Sequence, residues 1–246
     1  MKHLFLILTG LILVACGDSN SNIDLAQEIV DKAILKSGAN KIENSHIAFK
    51  FRDKKYKAIR ENGKFQLVRE FVDSLDVIKD VLSNSKFERF VNGTKITVAD
   101  SMVSRYSNSV NSVHYFSVLP FGLNDAAVLK SYLGKVDVNG VEYHKVRVAF
   151  KKEGGGDDYD DVFIYWFNSS NYQLEFLAYQ YHVNGGGIRF REAYNRREVE
   201  GVTFVDYKNY KADAKKHSLE NLDQLFESNA LKLLSTIELK DVKVSL

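Results

Sequence analysis

Four Asn-Gly pairs, at Asn62-Gly63, Asn92-Gly93, Asn139-Gly140 and Asn184-Gly185, constrain this chain more than any other feature. Each lies between runs rich in Val, Ile, Phe and Tyr. A two-residue type I′ turn needs positive φ at both central positions, and Asn followed by Gly meets that need at least strain. Spaced through one chain, the four pairs predict an antiparallel meander. The single proline, Pro120, leaves long ladders uninterrupted.

The runs fill in the strands. His46 to Arg52, Lys55 to Glu61 and Lys64 to Asp73 alternate in the first half. Val141 to Lys151, Asp161 to Phe167, Tyr172 to Val183, Ile188 to Val199 and Thr203 to Lys211 follow as five long strands, and Leu231 to Val244 reads as a closing strand. One helix is predicted over Ile23 to Lys36, where Leu25, Ile29 and Ala33 recur at helical spacing and Ser37-Gly38 supplies the stop. Ser101 to Ser117 shows no clean period, and a short helix is expected from Asp125 to Leu133, capped by Asn124. Ten or eleven antiparallel strands cannot stay flat. The expected fold class is mainly β (α+β): a large curved antiparallel sheet forming a half-barrel, covered by the N-terminal helix and a small helical insertion. No linker or repeat interrupts residues 24–246, so they read as a single domain.

The first residues supply a location. Leu4 to Val14 is an apolar run of eleven residues, too short for a membrane span of about 20. Leu13-Val14-Ala15-Cys16 resembles a bacterial lipoprotein signal, which assigns residues 1–15 to a signal peptide and residues 16–23 to a tether. That resemblance implies a diacylglycerol on the Cys16 thiol and an acyl chain on its amine. Such a protein is held at the cell envelope, with the outer membrane expected. Cys16 is the only cysteine, so the fold stands without disulfides. With 34 basic and 32 acidic side chains, the chain makes no electrostatic case for nucleic acid and shows no polybasic run for anionic lipid.

Behind the lipobox, the outline over residues 24–244 resembles the LolA/LolB-like superfamily of lipoprotein carriers and receptors. A closer resemblance lies in motifs. Ser109-Val110-Asn111-Ser112-Val113-His114-Tyr115-Phe116, Leu119-Pro120-Phe121-Gly122-Leu123-Asn124-Asp125, Glu153-Gly154-Gly155-Gly156-Asp157, Tyr165-Trp166, Arg189-Phe190-Arg191-Glu192-Ala193 and Asp206-Tyr207 are similar to a family of bacterial envelope lipoproteins with no assigned reaction. Some of its members carry the label deoxyribose-phosphate aldolase.

Three groups of residues are candidates for chemistry. Strand order places the two Gly-rich loops, 153–158 and 184–187, on one rim. There Asp157, Asp158 and Asp161 meet strand residues Arg189 and Arg191, a setting for a polar head group or a cation. The spacing is not that of an EF-hand loop, and solvated or Arg-paired acids are the plainer account. His114 and Tyr115 precede the Pro120–Phe121 loop, but no Gly-x-Ser-x-Gly motif or metal-spaced second histidine accompanies them. The aromatic strand 163–181 supplies Tyr165, Trp166 and Tyr179, with Phe163, Tyr165 and Phe167 on one face and Trp166 on the other. The expected role is non-enzymatic: an acyl chain or other amphiphile held in the concave face, with no cofactor and no metal. The alternatives are an envelope enzyme or an accessory lipoprotein docking onto an outer-membrane complex through a sheet edge. Aldolase chemistry needs an activated lysine in an apolar site, for which Lys145 is the nearest candidate. The known fold for that reaction is a βα barrel, which hairpin turns exclude.

Overall fold

The computed structural model of the chain describes residues 18–156, 159–182 and 185–246. Helix α1 spans Asp18–Lys36, so the segment expected as a tether is helical from residue 18. An N-terminal sheet follows: β1 (Ser45–Phe51), β2 (Lys54–Glu61), β3 (Lys64–Asp73), β4 (Asp76–Ser83), β5 (Phe87–Val91) and β6 (Thr94–Ile96). Helix α2 (Asp100–Ser117) crosses to a second sheet. This contains β7 (Val128–Val138), β8 (Val141–Phe150), β9 (Val162–Asn168), β10 (Leu174–Tyr181), β11 (Gly187–Val199) and β12 (Val202–Ala212). Helix α3 (Leu222–Glu227), then β13 (Lys232–Ile237) and β14 (Leu239–Ser245), complete the described elements.

The strands form two seven-stranded antiparallel sheets, in the orders β14-β1-β2-β3-β4-β5-β6 and β13-β12-β11-β10-β9-β8-β7. Only Glu238 separates β13 from β14. The closing strand expected as one piece therefore bends at Glu238 and joins the two sheets into the open, mostly β architecture. The described strands number fourteen, more than expected. The surplus comes from short pieces such as β6, and from β7, which occupies the stretch expected as the Asp125–Leu133 helix. From Tyr132 its half-buried and exposed residues alternate, which is the period of a strand. The helical insertion lies earlier, as α2.

Three Asn-Gly pairs sit between paired strands with positive φ at both residues: 52° and 73° at Asn62-Gly63, 50° and 82° at Asn92-Gly93, 53° and 79° at Asn139-Gly140. Asn184 lies outside the described residues. Glu200-Gly201 makes the same turn between β11 and β12, with φ of 51° and 72°.

Helix α1 buries Ala26, Ile29, Val30 and Ala33 almost completely against the inner face of the second sheet. Its C-terminal end is pinned to the β11–β12 turn. The Thr203 amide donates to the Ser37 carbonyl at 2.8 Å. Gly38, at φ 69°, lies so close that a Cβ there would stand 1.8 Å from the Gly201 carbonyl oxygen. No side chain fits that crossing. Helix α2 lies on the inner face of the N-terminal sheet, where Val110 packs on Ala58 and Leu67. Helix α3 covers the opposite face of the second sheet, over Ile164, Trp166 and Phe190.

Candidate ligand-binding site

The last turn of α2 is wedged between the two sheets, and consecutive residues face opposite walls. His114 turns to the N-terminal sheet. Its Nε2–H donates to the Val68 carbonyl at 3.2 Å, and its ring stands edge-on to Phe49 and Tyr56 at 5.8 and 5.5 Å. Burial pulls its pKa down to about 3, so the imidazole is neutral. That makes His114 a satisfied structural histidine, not a proton shuttle at neutral pH.

Tyr115 and Phe116 turn to the second sheet. The hydroxyls of Tyr115 and Tyr165 are 2.7 Å apart, and burial raises both phenol pKa values. Phe116 packs on Phe163 and Tyr179, with ring centroids at 6.1 and 5.1 Å. Phe163 also stacks on Tyr165 at 6.0 Å and Tyr179 at 5.5 Å. These rings form a packed aromatic cluster continuous with the stripe of α1. Arg191 enters it from β11 and donates through Nη2 to the Tyr179 hydroxyl at 3.0 Å.

Thus Tyr115, Tyr165, Tyr179 and Arg191 meet in one place. The other candidates do not join them. Trp166, one pleat away from Tyr165, lies on the opposite face under α3, where its Nε1–H donates to Asp223 at 3.1 Å. Phe121 stacks against Arg60, 5.1 Å from its guanidinium carbon. Arg189 stays at the rim over Tyr181, at 5.1 Å. Asp161 sits one residue before β9 on that rim, with Asp157, Asp158 and Cys16 outside the described residues. No three His, Cys, Asp or Glu side chains gather at metal-binding distance among the described residues. Lys145 is engaged in a buried ion pair with Asp223 at 2.8 Å and also donates to the Glu220 carbonyl.

An open groove beneath α1 was expected, and here the structure differs. The trough is filled by its own side chains. A void of about 10 Å³ remains beside Leu119, Pro120, Leu174, Arg196 and Tyr207, about enough for one water. The large concavity is elsewhere. A groove of about 710 Å³ runs over the outer face of the N-terminal sheet, floored by Ile59, Val68 and Val81. Lys50, Lys55, Lys57, Lys79 and Lys243 line it, with Glu70 and Asp241 paired to Lys55 and Lys50. The linear sequence hid this basic face because its lysines come from β1, β2, β4 and β14.

Residues 2–239 match the model of a family of unknown function, DUF6503. The chain belongs to that family. No protein of curated description is recognisably similar to it in sequence. Among solved structures, a LolA superfamily protein from Nitrosomonas europaea is similar over 90% of this chain and 91% of its own, with a TM-score of 0.50 and 9% identity. A DUF1329 family protein from Desulfovibrio piger covers 90% of this chain and 93% of its own, at TM-score 0.46 and 8% identity. An outer membrane lipoprotein-sorting protein domain from Vibrio parahaemolyticus covers 82% and 99%, at TM-score 0.42 and 8% identity. At such identity the first likeness shows a shared fold: this DUF6503 chain has a LolA-like architecture.

Two members of the site were quoted in the family motifs but not named as candidate site residues. Phe116 and Tyr207 both pack in this cluster and flank the Arg191 guanidinium. The run His114-Tyr115-Phe116 held the signal for Phe116, since three consecutive aromatic rings on a helix end must face different walls. For Tyr207 the signals were its place on a long strand and in the Asp206-Tyr207 motif.

Proposed function

We propose that this protein is a non-enzymatic binding protein, held at the cell envelope through acylated Cys16, that takes the apolar part of an amphiphile between its helical cover and its sheets. The observation that carries this reading is how the aromatic cluster under the helical cover is held together. Phe116 and Tyr179 are half-buried side chains, and Tyr115 is tied across by one hydroxyl pair. Movement of these rings and the last turn of α2 makes room without breaking a strand ladder. The LolA-like fold supports the reading, because it leaves helices to cover an open sheet. A Schiff-base reaction gains no support, because the Lys145 ammonium is committed to Asp223.

Mature protein extracted under mild conditions is expected to carry a co-purifying amphiphile, seen as a mass adduct by native mass spectrometry. A bare mass that persists after incubation with excess fatty acid overturns the proposal. The anchor is tested separately. Cys16→Ala is expected to abolish incorporation of labelled palmitate and to release the protein from the membrane fraction after signal removal. Undiminished palmitate labelling would sink the anchor assignment.

A second reading, docking onto an envelope complex, is favoured by β7. It is an eleven-residue edge strand with Leu129 and Leu133 exposed. Lys130, Lys135 and the irregularity at Gly134 blunt that edge against indiscriminate pairing.

A further inference from the structure

Arg191 is 8% exposed, its Nε has no acceptor, and among the described residues no carboxylate lies within ion-pair distance of it. Arg60 is similarly isolated, but several other buried or half-buried arginines are paired. Arg69 and Arg89 share Asp80, Arg196 pairs with Glu175, and Arg197 pairs with Asp206. In place of a counter-ion Arg191 has rings: Phe116 at 3.9 Å, Tyr179 at 5.2 Å and Tyr207 at 5.9 Å from the guanidinium carbon. Burial pushes the Tyr207 phenol up to about 12, so it stays neutral and supplies no negative charge. A buried cation without a counter-ion, and with one donor unused, is a cost that folding alone does not explain.

We infer that Arg191 receives the anionic head, a carboxylate or phosphate, of the amphiphile proposed above, so this inference rests on that reading. The guanidinium offers a planar fork of donors matched to such oxygens, and its unused Nε is one of them. Phe116 and Tyr179 are half-buried, which places the fork one side chain in from solvent. Turning Phe116 aside exposes it, and the tail then follows Phe163 and Tyr165 toward α1. The charge cost present in the empty protein becomes the selectivity of the loaded one.

The test uses the full purified chain and two probes of equal tail length, lauric acid and lauryl alcohol, at mildly alkaline pH. A charge-assisted hydrogen-bond pair predicts that wild type prefers the acid by about tenfold or more. Arg191→Met is expected to abolish that preference while raising the melting temperature of the ligand-free protein, because an unpaired buried charge is replaced by an apolar side chain. Arg191→Lys, which keeps the charge but loses the fork, is expected to fold as wild type with a weakened preference and covers the case in which the methionine variant fails to fold. Arg60→Met is the control. It removes another buried guanidinium, one that stacks on Phe121 instead, and the preference should persist. If wild type binds acid and alcohol equally, or Arg191→Met keeps the preference, the inference is wrong and the amphiphile reading stands. If neither probe binds, the amphiphile reading itself fails.

Discussion

Asp80→Ala is expected to destabilise the protein by about 3–5 kcal/mol, the usual cost of removing one partner from a buried ion network. Asp80 is fully buried. Its Oδ2 accepts from Arg69 Nε and Nη2 at 3.1 and 2.6 Å, and its two oxygens accept from Arg89 Nε and Nη2 at 2.6 and 3.0 Å. Truncation leaves two guanidinium groups side by side with no negative charge between them. The loss spreads to α2, because Arg69 Nη1 donates to Ser109 Oγ at 2.7 Å and Arg89 lies 3.6 Å over the Tyr106 ring. Urea unfolding gives the magnitude. Hydrogen exchange should show faster exchange across residues 100–117 than in the second sheet. A loss below about 1 kcal/mol, the range of a surface pair, would show that the network does not hold α2 in place.

The second large effect is pH dependence through His114. Its pKa is about 3 in the folded protein, mainly because burial disfavours the charged ring, against about 6.5 in the unfolded chain. The folded value is depressed, so its stabilising contribution is complete above pH 6.5 and declines as the pH falls toward 3. Each unit is worth about 1.4 kcal/mol, which predicts a loss of about 2 kcal/mol by pH 5. Arg60 and Arg69, which face the ring, push in the same direction. Carboxylates also titrate in this range, so the informative quantity is the difference from His114→Gln, whose amide can still donate to the Val68 carbonyl. Equal slopes for wild type and His114→Gln between pH 6.5 and 5 would refute the assignment.

Much of this fold could be read from local sequence, for identifiable reasons. The Asn-Gly turns are legible because positive φ at two successive residues is a demand few pairs meet. Helix α1 is legible because its buried stripe is purely apolar. Helix α2 is not. Its inward positions, Val103, Tyr106, Val110, Val113 and Ser117, keep helical spacing, but serine and asparagine dilute the pattern. Its contacts through Ser109 and Tyr106 are tertiary and leave no local trace. The helix expected from Asp125 failed because Asn124 imitates a cap, while the residues from Val128 onward obey the pairing demands of β8. Within the site, the strand period already puts Tyr165 and Trp166 on opposite faces, and what it leaves open is which of the two faces α2 covers. The isolation of Arg191 is invisible in one dimension, since a missing counter-ion is a property of everything around a residue.

The pairing of β1 with β14 has a bearing on how the protein is made. Register runs from His46 opposite Ser245 to Phe51 opposite Leu239, so one of the earliest strands to emerge must await one of the latest. During synthesis the edge of β1 on the β14 side stays unsatisfied until β14 has been made, so this sheet completes only after nearly all of the described chain exists. A tag or fusion placed just beyond β14 would press on that final zipper and impair maturation before it touched any binding surface.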